Sequence, residues 1–229
     1  MLEALIFDVD GTLAETEELH RRAFNDTFAE WRLDWYWGRA DYSRLLKTTG
    51  GKERIAAHMV EIGASGVDIV ALHRAKTARY TALMAAGGLA LRPGVAALMG
   101  QARAQGVRLA IATTTSRPNV EALCAACFDA PAADMFEVIA AGDEVTVKKP
   151  APDVYSLALK RLGLHPSACL ALEDSRNGVL SAQAAGLRVL VTPSAYTASE
   201  DFTGAWRVIP SLGETTLSAL ADPAAAIKE

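Results

Sequence analysis

Carboxylates, hydroxyls and a lysine recur in this sequence just after short apolar runs, where a packed sheet presents side chains to a ligand. Asp8-Val9-Asp10-Gly11-Thr12 closes the run that begins LEALIF. Thr113-Thr114-Thr115 closes VRLAIA, Lys148-Lys149-Pro150 lies in the loop after EVIAA, and Glu173-Asp174-Ser175 closes ACLAL. Carboxylates brought together repel and raise one another's pKa unless a cation sits among them. Oxygen donors without His or Cys suit a hard cation, and beside a phosphate that cation is usually Mg2+. Asp8 and Asp174 are the foremost candidate ligands, and the main-chain carbonyl of Asp10 completes the set.

The remaining residue types fit phosphoryl transfer. An aspartate that attacks phosphorus forms an acyl phosphate and splits one hard displacement into two easier ones. Fixed donors and cations must then stabilise the charge on the equatorial oxygens. Thr113 offers a hydroxyl, Thr114 a backbone N–H and Lys149 a positive charge. Asp10, two residues beyond Asp8, is placed to protonate the leaving oxygen and later to take a proton from water. Gly11 lets the backbone turn sharply beside the phosphate. Each piece also has a plainer reading. D-x-D-G is often a turn or the start of a calcium loop, although Leu13-Ala14 breaks that pattern. Lys149 reads equally as a solvated loop lysine, Thr113 as a partner for a backbone group, and Glu173-Asp174 as a cap for the helix near Asn177. Their joint occurrence at four successive strand ends is what favours chemistry.

The elements that must position these groups follow from periodicity. From about residue 90 apolar strand-like runs (107–114, 137–141, 168–172, 187–191, 207–210) alternate with helical stretches (93–106, 116–127, 152–162, 177–185, 213–220), which predicts a parallel α/β sheet with helices on both faces. Residues 2–9 read as a further buried strand. Between them lie helical stretches at 15–29, 41–47, 52–62 and 68–86, with Asp68 as an N-cap. The economical architecture is a Rossmann-like α/β core of residues 1–14 and 90–229 and an all-helical cap domain of residues 15–89 inserted after the first strand. Trp31, Trp35, Tyr36 and Trp37 read as an aromatic mini-core in that insert.

Composition limits the functions available. The 229 residues are 51% hydrophobic and 22% charged, with a net charge of −4. There is no basic excess for general nucleic-acid binding, and no apolar run approaches the ~18–20 residues that span a membrane. Three cysteines give no disulfide framework, and Cys124-x-x-Cys127 reads as two small hydrophobes on a buried helix more readily than as a redox pair. A monomer in a bacterial cytosol or plastid stroma, acting on a small molecule, is the expectation. Residues 15–88 carry 11 basic and 10 acidic side chains, and the remainder 12 and 17. The acids therefore collect in the core, and the insert is the more basic piece.

D-V-D-G-T (8–12), Thr113, K-P-A-P-D (149–153) and E-D-S (173–175) together resemble the four motifs of the haloacid dehalogenase superfamily, and the helical insert resembles its C1-type cap. The resemblance covers essentially the whole chain. It implies Asp8 as nucleophile, Asp10 as general acid/base, and Thr113 and Lys149 as phosphate-stabilising groups. It implies Asp8, Asp10 and Asp174 as Mg2+ ligands, with Glu173 beside them. Glu173 stands where many relatives have Gly, a version shared with a β-phosphoglucomutase-like branch, so phosphatase and mutase both remain open. The stretches FDVDGTLAETEELHRRAFN, TTGGKERIA, LHRAKT and ATTTS resemble sugar-bisphosphate phosphatases encoded with Calvin-cycle genes. Their substrate, xylulose-1,5-bisphosphate, is a misfire product of Rubisco that inhibits it. A receiver-type phosphoaccepting module would be about half this length and would leave the insert unexplained.

The cap is expected to choose the substrate. Gly50-Gly51-Lys52-Glu53-Arg54 combines flexible glycines, N–H groups at a helix start and two cations, an anion-binding arrangement. Arg74 and Lys76 add two cations that are either a solvated face or a grip on a second phosphate. Glu17 and His20 lie one turn apart, within reach of sugar hydroxyls. His20 and Tyr42 rest largely on the resemblance. Thr114 and Thr115 complete the expected substrate contacts.

Overall fold

The computed structural model describes residues 1–221. The chain runs β1 (Ala4–Phe7), α1 (Glu17–Glu30), α2 (Arg39–Leu45), α3 (Gly51–Glu61), α4 (Ile69–Ala85) and α5 (Val95–Ala104). It continues through β2 (Arg108–Ala112), α6 (Arg117–Phe128), the single turn α7 (Ala132–Met135), β3 (Val138–Ala140), α8 (Asp153–Leu162) and β4 (Cys169–Glu173). The last described elements are α9 (Arg176–Ala184), β5 (Arg188–Val191), β6 (Arg207–Val208) and α10 (Leu217–Ala221).

The strands pair in parallel in the order β3-β2-β1-β4-β5-β6. The strand order reverses between β1 and β4, and in such sheets the crevice at the carboxyl ends takes the ligand. Side chains alternate across the sheet. Leu5, Phe7, Leu109, Ile111, Leu170 and Leu172 face one core, packed by Val95, Leu98 and Met99 of α5 and Val120 and Leu123 of α6. Ala4, Ile6, Ala110, Ala112, Cys169 and Ala171 face the other, packed by α8 and α9 through Val154, Tyr155, Ala158 and Val179. Bulky residues fill the first face and mostly small ones the second. Cys124 belongs to the first core, and burial, then Glu121, pushes its thiol up to about 12, so it behaves as a hydrophobe.

Helices α1 to α4 lie between β1 and α5, in the segment where the sequence predicts an insert. α1 buries His20, Ala23, Phe24, Thr27 and Phe28, the i, i+3, i+4, i+7 stripe of an amphipathic helix. Phe24, Phe28, Trp37, Tyr42, Ile55 and Leu72 form a core of the insert's own. Asp68 caps α4 by accepting from the Ala71 amide at 3.0 Å. Of the expected aromatic group, Trp37 is buried and Trp35 packs against it through Phe28, whereas Trp31 and Tyr36 are exposed. Two adjacent chain segments join insert and sheet: Ala14 bridges Leu91, and the Arg92 amide donates to the Leu13 carbonyl at 2.8 Å. The Arg92 guanidinium donates to the carbonyls of Gly11, Thr192 and Pro193 and pairs with Glu15, stapling these segments to the sheet.

Most element ends shift by a residue or two from the sequence expectation, and three of the differences bear on packing. α5 starts at Val95 rather than Pro93, because Gly94 adopts φ 86° and presses on residues 212–213, where a Cβ would fall 2.1 Å from the Gly213 amide nitrogen. The closing helix is a 3-10 turn (Leu212–Glu214) followed by the short α10. β4 extends one residue beyond ACLAL to include Glu173, whose carbonyl accepts from the Thr192 amide at 2.8 Å.

Candidate active site

Asp8, Glu173 and Asp174 converge at the carboxyl ends of β1 and β4, with one carboxylate oxygen from each lying within 4.8 Å of the others. All three are buried. Lys149, buried in the loop after β3, donates to Asp8 Oδ1 at 2.6 Å, to Glu173 Oε1 at 2.6 Å and to the Ala112 carbonyl at 2.9 Å. Burial, together with the negative charges of Glu173 and Asp10, lifts Asp8 to about 8 despite Lys149. Burial and the charges of Asp8 and Glu173 likewise push Asp174 well above the carboxylate range. Burial works against the Lys149 ammonium, but Asp8 and Glu173 outweigh it and hold its pKa above the ordinary lysine range. One lysine for three buried carboxylates leaves excess negative charge, and the oxygen-only donors fit a hard divalent cation. Asp8 and Asp174 are the residues that would hold such an ion.

Glu173 differs from those two. Its Oε1 accepts from Lys149 and, at 2.6 Å, from the Tyr155 hydroxyl; its Oε2 faces the Asp174 amide at 3.2 Å and the Ser175 hydroxyl at 3.5 Å. Its oxygens thus have partners within the protein, and one of them still lies within 4.8 Å of an oxygen of Asp8 and of Asp174. Glu173 and Asp174 do not cap α9: the Ser175 hydroxyl does, accepting from the Gly178 amide at 3.2 Å.

Asp10 faces the cap. Thr16 Oγ1 at 2.5 Å, His20 Nε2 at 3.1 Å and the Tyr80 hydroxyl at 3.4 Å all donate to its Oδ1. Lys76 Nζ lies 2.5 Å from His20 Nδ1. A neutral His20 with its proton on Nε2 satisfies both neighbours, and burial followed by the Lys76 charge lowers the His20 pKa accordingly. Burial works to raise Asp10, but His20, Thr16 and Lys76 together hold its carboxyl below the usual range. Burial and the nearby Arg54 bring Lys76 down to about 7.

A cavity of about 570 Å³ separates this rim from the cap. On its core side lie Asp8, Asp10, Thr113, Thr114, Thr115, Lys149 and Asp174; on its cap side lie Glu17, His20, Gly50, Gly51, Lys52, Arg54, Arg74 and Lys76. Thr113 is buried, and its hydroxyl accepts from the Thr115 amide at 3.2 Å. Gly50 (φ 95°) precedes the first turn of α3, and Gly51 packs so tightly on His73 that a Cβ would fall 2.4 Å from its Nε2. Arg54 is partly committed, donating to the Leu45 carbonyl and the Tyr42 hydroxyl. Lys52 and Arg74 are exposed and make no hydrogen bond or ion pair among the described residues.

Two expected substrate contacts are not on the cavity wall. Tyr42 is fully buried behind it; its hydroxyl donates to Glu17 Oε2 at 2.8 Å and accepts from Arg54 at 3.1 Å. The sequence places Tyr42 near the site but not on one side of α2. Gly11 lies beneath the site: at φ 82°, a Cβ there would fall 2.2 Å from Asp174 Oδ2. Sequence reasoning missed four residues. His73 lines the cavity beside Arg74, a position legible from the run LHRAKT. Ser116, at the start of α6, lines it with a buried hydroxyl that has no partner among the described residues. Asn177 also lines it and donates to the cap's Thr49 at 2.9 Å; Tyr155 supports Glu173. No local signal marks the last two, because their roles depend on chain segments far away in sequence.

Residues 2–186 match the family model described as haloacid dehalogenase-like hydrolase. The chain is 62% identical over 222 residues to Protein CbbY of Rhodobacter capsulatus, covering 96% of this chain and 97% of that protein. A crystal structure of CbbY from Rhodobacter sphaeroides in complex with phosphate superposes with a TM-score of 0.94 at 56% identity, over 97% of this chain and 100% of that one. A variant of the same protein in complex with xylulose-(1,5)bisphosphate superposes with a TM-score of 0.93 at 56% identity, over 96% and 99% of the two chains.

Proposed function

This chain belongs to the haloacid dehalogenase-like hydrolases and is a phosphatase of that family, and from that premise we propose that it hydrolyses a sugar bisphosphate, xylulose-1,5-bisphosphate, through a phosphoryl group held transiently on Asp8. The observation that carries this reading is a single cavity with opposite walls: buried carboxylates and Lys149 on the core, and Lys52, Arg54, Arg74 and Lys76 on the cap. A substrate with one phosphate reacts at the first wall, and a second phosphate finds cations at the other. The xylulose bisphosphate bound by the 56%-identical CbbY variant supports the same substrate here.

Asp8 has one oxygen on Lys149 and attacks phosphorus with the other. Thr113, the amide of Thr114 and Lys149 stabilise the charge on the phosphoryl oxygens. Asp10 keeps Oδ1 on Thr16 and His20 and uses Oδ2 on the leaving sugar oxygen. The depressed pKa makes Asp10 a carboxylate in the phosphate-free site; the negative charge of a bound phosphate favours its protonated, donor form. After the sugar leaves, Asp10 takes a proton from the water that attacks the aspartyl phosphate, which frees Asp8. Asp8, Asp174 and the Asp10 carbonyl would hold a Mg2+ ion, whose positive charge offsets that of the phosphoryl oxygens. Glu17 and His20 line the sugar's side of the cavity.

The test is phosphate release from xylulose-1,5-bisphosphate with Mg2+, with the sugar product identified by chromatography. Stoichiometric free phosphate and a pentulose monophosphate are expected. An isomeric bisphosphate with only traces of phosphate would make the chain a mutase, and no turnover would remove this substrate.

A further inference from the structure

Glu173 ends β4 on the opposite side of the sheet from the leucines. Leu172 faces the first core and Ala171 the second, so the next alternating position puts Glu173 on the side of α8 and α9, beside Asp8 of the neighbouring strand. There it is fully buried, in space that Gly178 of α9 leaves open: a Cβ on that glycine would fall 1.9 Å from Glu173 Oε2. Tyr155 of α8 meets it from below. The hydroxyl donates to Glu173 Oε1 at 2.6 Å, and the ring lies 4.9 Å from Lys149 Nζ, which bonds the same carboxylate oxygen. Tyr155 is itself fully buried.

We propose that Glu173 and Tyr155 form a clamp that positions Lys149 against Asp8, and that Glu173 is a positioning residue rather than a ligand of the metal. With Lys149 and Tyr155 on one oxygen and the Asp174 amide on the other, three of the roughly four acceptor sites of Glu173 face protein donors. Lys149 and Tyr155 thus hold this carboxylate from within the protein, whereas neither of them bonds Asp174. The Tyr155 ring stacks beside the ammonium and limits its directions to Asp8, Glu173 and the Ala112 carbonyl. Tyr155 thereby fixes the cation that the phosphoryl group meets without touching substrate. This inference rests on the phosphoryl-transfer role given to Asp8 and Lys149.

Glu173→Gln and Tyr155→Phe test it with two readouts: Mg2+ affinity of the metal-free protein by titration calorimetry, and kcat and KM for p-nitrophenyl phosphate. Glu173→Gln should lower kcat about a hundred-fold and Tyr155→Phe about five-fold, with Mg2+ affinity within about three-fold of wild type in both. Tyr155→Phe keeps the ring and the packing, so it remains informative if the buried Gln misfolds. Mg2+ binding weakened ten-fold or more in Glu173→Gln, with kcat restored by excess Mg2+, would make Glu173 a ligand and overturn the proposal. An unchanged kcat in Tyr155→Phe would remove Tyr155 from the clamp. If the wild type hydrolyses no phosphate ester, the phosphatase reading fails separately, and the calorimetry still decides whether Glu173 holds the metal.

Discussion

The two walls of the cavity are built on opposite plans. On the core side, Asp8, Asp174 and Lys149 are buried, and strand ends and neighbouring side chains fix their directions. On the cap side, Arg54 and Lys76 are buried and partnered, but Lys52 and Arg74 are exposed on helices and bond nothing among the described residues. Rigid, desolvated groups suit charge that develops at one place in a transition state. Long unpaired cations suit a phosphate that stays intact and whose distance from the reacting centre depends on the sugar. In the proposed function this difference divides reaction from selection, and Asp10 sits at the junction, because its partners Thr16, His20 and Tyr80 all belong to the cap segment.

If the core wall alone reacts, its loss should abolish turnover of every substrate. Asp8→Asn should reduce phosphate release at least about a thousand-fold with sugar phosphates and p-nitrophenyl phosphate alike, measured at saturating Mg2+. Residual activity within ten-fold of wild type would place the nucleophile elsewhere.

A smaller change sharpens the cap side. Tyr42 lies behind Glu17 and Arg54 and bonds both. Tyr42→Phe should raise KM for the bisphosphate about three- to ten-fold and leave kcat within about two-fold, because both hydrogen bonds that orient the two binding groups are lost. A kcat loss larger than the KM effect would mean that this network reaches the chemical step through Asp10.

The core wall was largely legible in the sequence. A parallel sheet sends its strand ends to one rim, so Asp8, Thr113, Lys149 and Asp174 fall together whatever the details of packing. Glu173 was expected beside the metal ligands, and its carboxylate does lie within 4.8 Å of those of Asp8 and Asp174, although alternation along β4 gives it Lys149 and Tyr155 as partners on the side of α8. The alternation was available in the sequence; where β4 ends was not, and that boundary places Glu173 within the strand. Tyr42 was misplaced for a related reason. The seven-residue α2 is too short for its apolar spacing to define a buried face, and only Phe24 and Trp37, from other segments, show which way it turns. Tyr155 and Asn177 escaped notice because their partners come from distant segments.

The separation of reaction from selection is tested most directly by a ratio. The value of kcat/KM is measured for xylulose-1,5-bisphosphate and for a pentulose monophosphate, in the wild type and in the double variant Lys52→Ala/Arg74→Ala. Removing two cations from the cap wall should lower the bisphosphate value about thirty-fold and leave the monophosphate value within about three-fold. Equal losses on both substrates, or no loss on either, would contradict the assignment of the cap cations to the second phosphate.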